Sequence, residues 1–451
     1  MRDFDLVIQN AFAVLEGGSQ AVDIGIVDER IAALSAPGVL GGGKARYDAC
    51  GNVVTPGGVD SHVHIPVGSG THRGDFLTEG KAALAGGTTT VIDFVKQPGE
   101  NGLTAAFSEK VEQVSRLAPL DFAFHAVIQH RGELCEIWRL AEMGACSFKH
   151  IMADCNGMTG MFTGLMFESF SVVSRVGGVA TVHAENEEIQ KVLIARMKAA
   201  GRSGPLDHAE SRTVISEVEA ITRAILLAQE TGCRLHVFHV SSGEGARAVK
   251  AARERGVRVT QETCPHYLLF TRDDIRRLGP FLQMNPSLKS AADRETLWEG
   301  LEQGWVDAVV SDHYAPTRAE KRKGWEDIWS TEAGVPGLDT RAILTMNRGV
   351  LSGRITLERF VEVTATRPAR IFGLYPRKGA IRIGADADLV VWENRPAKLA
   401  PRPESRVDWT PYEGMDVSAL PRATFLRGRM VYDGRQVLAG EETGRFYPAR
   451  F

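Results

Sequence analysis

The stretch GNVVTPGGVDSHVHI, residues 51–65, passes from β-branched residues through a Pro-Gly-Gly kink into two histidines one residue apart. Side chains alternate along a strand, so His62 and His64 share a face. Two imidazoles on one face either grip a single metal ion or form two ordinary hydrogen bonds. Their spacing alone leaves both readings open. Before this stretch, residues 1 to about 53 read as β: DLVIQNAFAV and VDIGIVDERIAAL alternate or run in β-branched residues around LEGGSQ. From about residue 54 the texture changes, and short apolar strands alternate with longer helical patterns. That alternation signals βα repeats and a parallel sheet.

The candidate strands are GNVVTPGGVDSHVH, TTTVIDFV, DFAFHAVI, ACSFKHIM, GVATVHAE, RLHVFHVSS, VRVTQETCPHY and VDAVVSDHYAP. Helix-like stretches such as AFSEKVEQVSRLA and SEVEAITRAILLAQETG lie between them, several closed by Gly. Eight strands with intervening helices is the count of an α/β fold of the closed (β/α)8 TIM-like barrel type. The β texture returns after about residue 370, in KGAIRIGADADLVVWE and RATFLRGRMVYDGRQV. The two β ends are expected to pair, so that residues 1–53 and 371–441 form a small β-sandwich satellite domain beside a 54–370 barrel. Residues 442–451 read as an extended tail, packed on the surface or on a partner subunit.

The chain has 451 residues, 43% hydrophobic and 24% charged, as in ordinary soluble globular proteins. A net charge of −3 without a basic block argues against nucleic acid and anionic membranes as partners. Cys50, Cys135, Cys146, Cys155, Cys233 and Cys264 form no C-x-x-C pair and read as reduced thiols of a cytoplasmic protein. The opening MRDFDLVIQN lacks the basic start and apolar core of a signal peptide. No apolar run reaches the ~20 residues of a membrane span.

In such barrels the reactive side chains stand at the C-terminal ends of the strands. Strand one ends in His62 and His64, strand four carries Lys149, strand five ends in His183, strand six in His239 and strand eight in Asp312. Each has a bland alternative: a hydrogen-bonded histidine, a snorkelling lysine, a turn-capping aspartate. Their arrival at one mouth from about 250 residues of chain favours a metal site built from nitrogen and oxygen donors. An ammonium has no lone pair to offer a cation. Lys149 would therefore act as a carbamate, the CO2 adduct of its amine, whose two oxygens can bridge two metals.

The segments TPGGVDSHVH, SFKHIMA, VHAEN, HVSS, ETCPHYL and SDHYAP resemble the cyclic amidohydrolases, nearest to the dihydropyrimidinase and hydantoinase branch of the amidohydrolase superfamily. AALAGGTTTVIDF, VEVTATRPARIFGLYPRKGAIRIGADADLVVWE and RFYPARF extend the similarity over nearly the whole chain. The resemblance implies two divalent ions, Zn2+: one on His62, His64 and Asp312, the other on His183 and His239, bridged by N6-carboxylated Lys149. It implies opening of a small cyclic amide to an N-carbamoyl amino acid, with Asp312 as the acid/base, and assembly as a homotetramer.

The chain departs from the pattern at two places. The family's tyrosine five residues after the lysine is replaced by Asp154. An ionised carboxylate cannot donate to an oxyanion. Asp154 thus either meets a substrate of different charge, such as a cyclic amidine, or turns away to cap CNGMTG. The loops NPSLK and TEAGVPGLD replace the family's substrate loops, with Asn285 and Ala333 at the positions that contact the ring amide. Dihydroorotase is disfavoured because HVHIPVG lacks the arginine expected after H-x-H; allantoinase remains as the alternative.

Overall fold

The computed structural model describes residues 4–67, 73–96, 102–154 and 157–451. Its strands are β1 (Phe4–Leu15), β2 (Gly18–Val27), β3 (Arg30–Ser35), β4 (Gly43–Asp48), β5 (Val53–Pro56), β6 (Gly58–Asp60), β7 (Thr88–Val95), β8 (Asp121–Val127), β9 (Phe148–Ile151), β10 (Val179–His183), β11 (Arg234–Val237), β12 (Val259–Thr263), β13 (Ala308–Val309), β14 (Leu389–Lys398), β15 (Asp416–Leu426) and β16 (Arg429–Tyr432). β6 to β13 form one parallel sheet in chain order, with helices between them. A bridge between Val63 and His313 joins its first and last strands, and His64 N donates to His313 O at 2.8 Å. The barrel therefore closes just beyond β6 and β13, where His62, His64 and Asp312 stand. TTTVIDFV is buried at every position, as a parallel strand covered on both faces must be.

The second sheet runs β16-β15-β14-β5-β1-β2-β3, with β4 alongside β1. It joins the two ends of the chain through the antiparallel pair β5 and β14, which sets Val54 opposite Val391. The expected first barrel strand is thus two strands. Val53–Pro56 pairs into the second sheet and Gly58–Asp60 into the barrel, with Gly57 as the pivot. A Cβ at Gly57 would lie 2.1 Å from Thr89 Oγ1, so the chain passes this crossing only without a side chain. The expected strand through CPHY stops at Thr263, because Pro265 opens a short helix, Pro265–Leu269.

A buried ionic cluster joins the two sheets at the N-terminal end of the barrel. Lys378 Nζ lies 2.7 Å from Asp388 Oδ2 and 3.0 Å from Asp386 Oδ2, and also pairs with Asp121, the first residue of β8. Arg427, from the β15–β16 turn, shares Asp121. The chain's last residues cover the same end. Phe122 N donates to Arg445 O at 3.0 Å, Tyr447 N donates to Phe122 O at 2.8 Å, and the Phe446 ring packs on Phe107, Phe122 and Phe124. The tail thus lies on its own barrel. Among the described residues no helix is long and apolar enough to cross a membrane.

Candidate metal centre

Strand geometry brings the six polar residues singled out above to one mouth. His62 and His64 leave the barrel just after β6 and aim at one carboxylate oxygen. His62 Nε2 lies 3.3 Å and His64 Nε2 3.4 Å from Asp312 Oδ1. His183 closes β10 and presents Nδ1 at 3.0 Å from His239 Nε2. The two groups adjoin, with the His62 and His239 ring centroids 5.2 Å apart. Lys149, from the middle of β9, lies between them, its Nζ 3.5 Å from His62 Nε2. His239 and Asp312 both adopt left-handed backbone, φ 39° and 47°. That conformation costs a non-glycine residue about 1 kcal/mol or more and persists where the surroundings impose it, commonly at functional sites.

The separations suit a metal. Two donors ~2.0–2.1 Å from one tetrahedral ion stand ~3.3 Å apart, the length of a tetrahedron edge. The His62–Asp312, His64–Asp312 and His183–His239 contacts, at 3.3, 3.4 and 3.0 Å, lie near that edge. The protonation states agree. Burial first, and the neighbouring positive charges second, push His62 and His239 well below the ordinary imidazole range. Both are therefore neutral, with a lone pair to give. Burial raises the Asp312 carboxyl, but the hydrogen bond with His64 outweighs it and holds the group at about 2. His239 Nδ1 is buried with no hydrogen-bond partner among the described residues.

Behind the donors stand two carboxylates that the sequence reading missed. Glu262 Oε1 lies 2.6 Å from His62 Nδ1, and its other oxygen lies 3.0 Å from His236 Nε2. Glu185 Oε2 lies 2.9 Å from His183 Nε2. A carboxylate on the far nitrogen orients the ring and leaves the near nitrogen as the donor. The period-2 pattern of β12 offered a signal: Thr260 and Glu262 share its inward face, and both contact His236. Glu185 follows β10 in a turn, where periodicity says nothing.

A cavity of about 550 Å3 opens over these residues, lined by His64, Lys149, His183, His239 and Asp312 and by Asn285 and Ala333 from the two substrate loops. Gly334 holds the second loop close, since a Cβ there would meet the Tyr314 ring at 2.4 Å. Asp154 lies outside this cavity. It is exposed, accepts from Gly160 N at 2.9 Å and stands 3.3 Å from Lys191 Nζ. The short side chain is satisfied locally. Asp154→Ala is expected to leave kcat/KM within about twofold of the parent, the range of an ordinary surface change. A larger change in steady-state kinetics would return Asp154 to the substrate. Cys50, Cys135, Cys146, Cys233 and Cys264 are free thiols, and Cys155 lies outside the described residues.

Known proteins resemble this chain over nearly its whole length. Residues 53–431 match the model of the amidohydrolase family. An L-hydantoinase of Paenarthrobacter aurescens is 37% identical over 99% of this chain and 98% of its own. An allantoinase of Rubrobacter xylanophilus is 35% identical over 99% of this chain and 98% of its own. The solved structure of an L-hydantoinase (dihydropyrimidinase) from Arthrobacter aurescens superposes with a TM-score of 0.95 at 36% identity, covering 99% of this chain and all of that one. With the barrel, the imidazole-rich mouth and the match all on the same residues, the chain belongs to the amidohydrolase family.

Proposed function

We propose that this protein is a metal-dependent hydrolase that opens the amide bond of a hydantoin- or dihydropyrimidine-type ring and releases an N-carbamoyl amino acid. The observation that carries the reading is the convergence of four imidazoles, one ionised carboxylate and a buried lysine beneath one cavity. His62, His64 and Asp312 would hold one Zn2+, His183 and His239 a second, and carboxylated Lys149 would join them. Bound there, such ions polarise the ring carbonyl and make water nucleophilic at neutral pH. Asp312 takes the proton of the attacking water and passes it to the departing ring nitrogen, two tasks open to one ionised acid/base group. The backbone at Asn285 and Ala333 holds the ring amide. Glu262 and Glu185 keep the imidazoles of His62 and His183 in place during turnover.

The cavity wall supports an apolar substituent on the ring. Ile65, Val67, Phe94, Ile151 and Met158 line it. Two charged wall residues already satisfy each other, with Lys110 Nζ 2.6 Å from Asp93 Oδ2. Allantoin hydrolysis is the second reading, favoured by similarity to proteins of that name. Its polar ureido group would have to lose hydration against this wall. The amidine reading loses its support with Asp154 outside the cavity. A panel of 5-benzylhydantoin, dihydrouracil, allantoin and a cyclic amidine separates these readings. The aryl hydantoin is expected to exceed allantoin at least about tenfold in kcat/KM, a difference of ~1.4 kcal/mol that partial burial of one aromatic ring supplies. The reverse order would assign the protein to allantoin, and turnover of the amidine alone would remove the ureide assignment.

Assembly as a homotetramer belongs to the same reading. Exposed Phe162 and Phe167 beside and on the helix Thr163–Arg175, with Ile215 and Leu226 on the neighbouring helix Val214–Thr231, support self-association. The free thiols support a reducing, cytoplasmic setting.

A further inference from the structure

Arg212 stands between the helices Pro205–Ser211 and Val214–Thr231, in a stretch, SRTVISEVE, with no part in the chemistry above. It is buried at 7% exposure, and its guanidinium faces two ways. Nη1 pairs with Glu185 Oε2 and donates to Gln190 Oε1 at 3.1 Å. Glu185 Oε2 is the same oxygen that lies 2.9 Å from His183 Nε2. The other arm, Nε, lies 3.1 Å from His208 Nε2, which in turn lies 3.0 Å from Asn285 Oδ1; that nitrogen either accepts from Arg212 or donates to Asn285, so the His208 ring is packed between the two. The backbone repeats the connection, because Ser287 Oγ donates to Arg212 O at 3.2 Å. One rigid planar group thus reaches a candidate metal ligand in one direction and the substrate wall in the other.

We propose that Arg212 is a positioning residue that couples the two halves of the site, setting the ring of His183 through Glu185 and, through the His208 ring packed against it, the loop whose backbone at Asn285 meets the substrate. A guanidinium presents its donors in a fixed fork, so it spans two targets at a set separation. A lysine ammonium is a single point and serves one of them. The inference rests on the reading of His183 as a ligand of the second ion.

The test uses zinc-loaded enzyme, with zinc release to a chromophoric chelator and kcat and KM for 5-benzylhydantoin at saturating zinc. Arg212→Met is expected to release one of its two ions about 10–100-fold faster, the usual consequence of losing support behind a metal-bound histidine. Its KM is expected to rise about tenfold as the loop carrying the Asn285 backbone loses its support. Arg212→Lys keeps the Glu185 pair, so it is expected to hold zinc within about threefold of the parent rate while KM stays raised. That split between zinc retention and KM is not produced by a loss of stability alone. If Arg212→Met does not fold, Arg212→Lys carries the test. Parental zinc release and parental KM in both variants would overturn the proposal, and so would recovery of both properties in Arg212→Lys. Parent enzyme that carries a single ion per chain would instead overturn the reading of His183, and is seen before any substitution is made.

Discussion

Lys149→Ala is expected to lower kcat/KM by about 10³-fold or more, equivalent to roughly 4 kcal/mol of lost transition-state stabilisation. The Lys149 side chain is 4% exposed, with Nζ 3.5 Å from His62 Nε2 and 3.9 Å from the Phe94 ring centroid. A permanent ammonium at that point would repel any cation held by the adjoining imidazoles. On the proposed reading a carbamate would reverse the charge and supply two oxygens, so truncation would remove a bridging ligand rather than a bystander. Lys149→Arg is expected to fail equally, because a guanidinium stays charged and takes up no CO2. Zinc content is expected to fall with activity in both variants. Small carboxylates added with zinc are expected to restore part of the activity of Lys149→Ala, by putting two oxygens into the space left open. Either variant retaining more than a tenth of the parental kcat/KM would remove the carbamate from the mechanism.

Lys378→Met is expected to destabilise the fold by about 3–5 kcal/mol, the usual cost of removing one partner from a buried ion pair. The substitution leaves Asp386 and Asp388 buried without their ammonium, and Asp121 with Arg427 alone. Burial alone would lower the Lys378 pKa, but the charges of Asp121 and Asp388 outweigh it and hold the ammonium above the usual lysine range. A lysine raised in the folded state keeps its full stabilisation below the unfolded value, about 10.4, and loses it only as pH rises through the folded one. Asp386 is lowered: burial opposes this, and Lys378 overcomes it. Its contribution is present above about 3.9 and disappears as pH falls. Both contributions are complete at pH 7, where urea unfolding measures the loss. The cluster stands at the barrel end opposite the mouth, so kcat of the folded enzyme is expected to hold within about twofold. An unchanged unfolding midpoint would mean that the second sheet is held to the barrel by other contacts.

The barrel was legible because parallel strands read as unbroken apolar runs. TTTVIDFV appears as the strand Thr88–Val95 without change. The polar residues at the mouth were legible because they interrupt such runs at the ends. The break between Pro56 and Gly58 was not legible, since two strands of different sheets follow one another with a single glycine between them. The position of Asp154 depended on Gly160 and Lys191, which a local pattern does not connect to it. Glu185, Glu262 and Arg212 were missed for a related reason. Each acts through a partner brought close by folding, and such a partner leaves no mark on local periodicity.

An anomalous difference map at the zinc absorption edge, from crystals of protein purified with zinc, bears most directly on the proposed chemistry. Two peaks ~3.5–4 Å apart are expected, one against His62, His64 and Asp312 and the other against His183 and His239, with density beyond Lys149 Nζ reaching both. A map with no peak at the barrel mouth, and Lys149 ending at its amine, would contradict hydrolysis by this site.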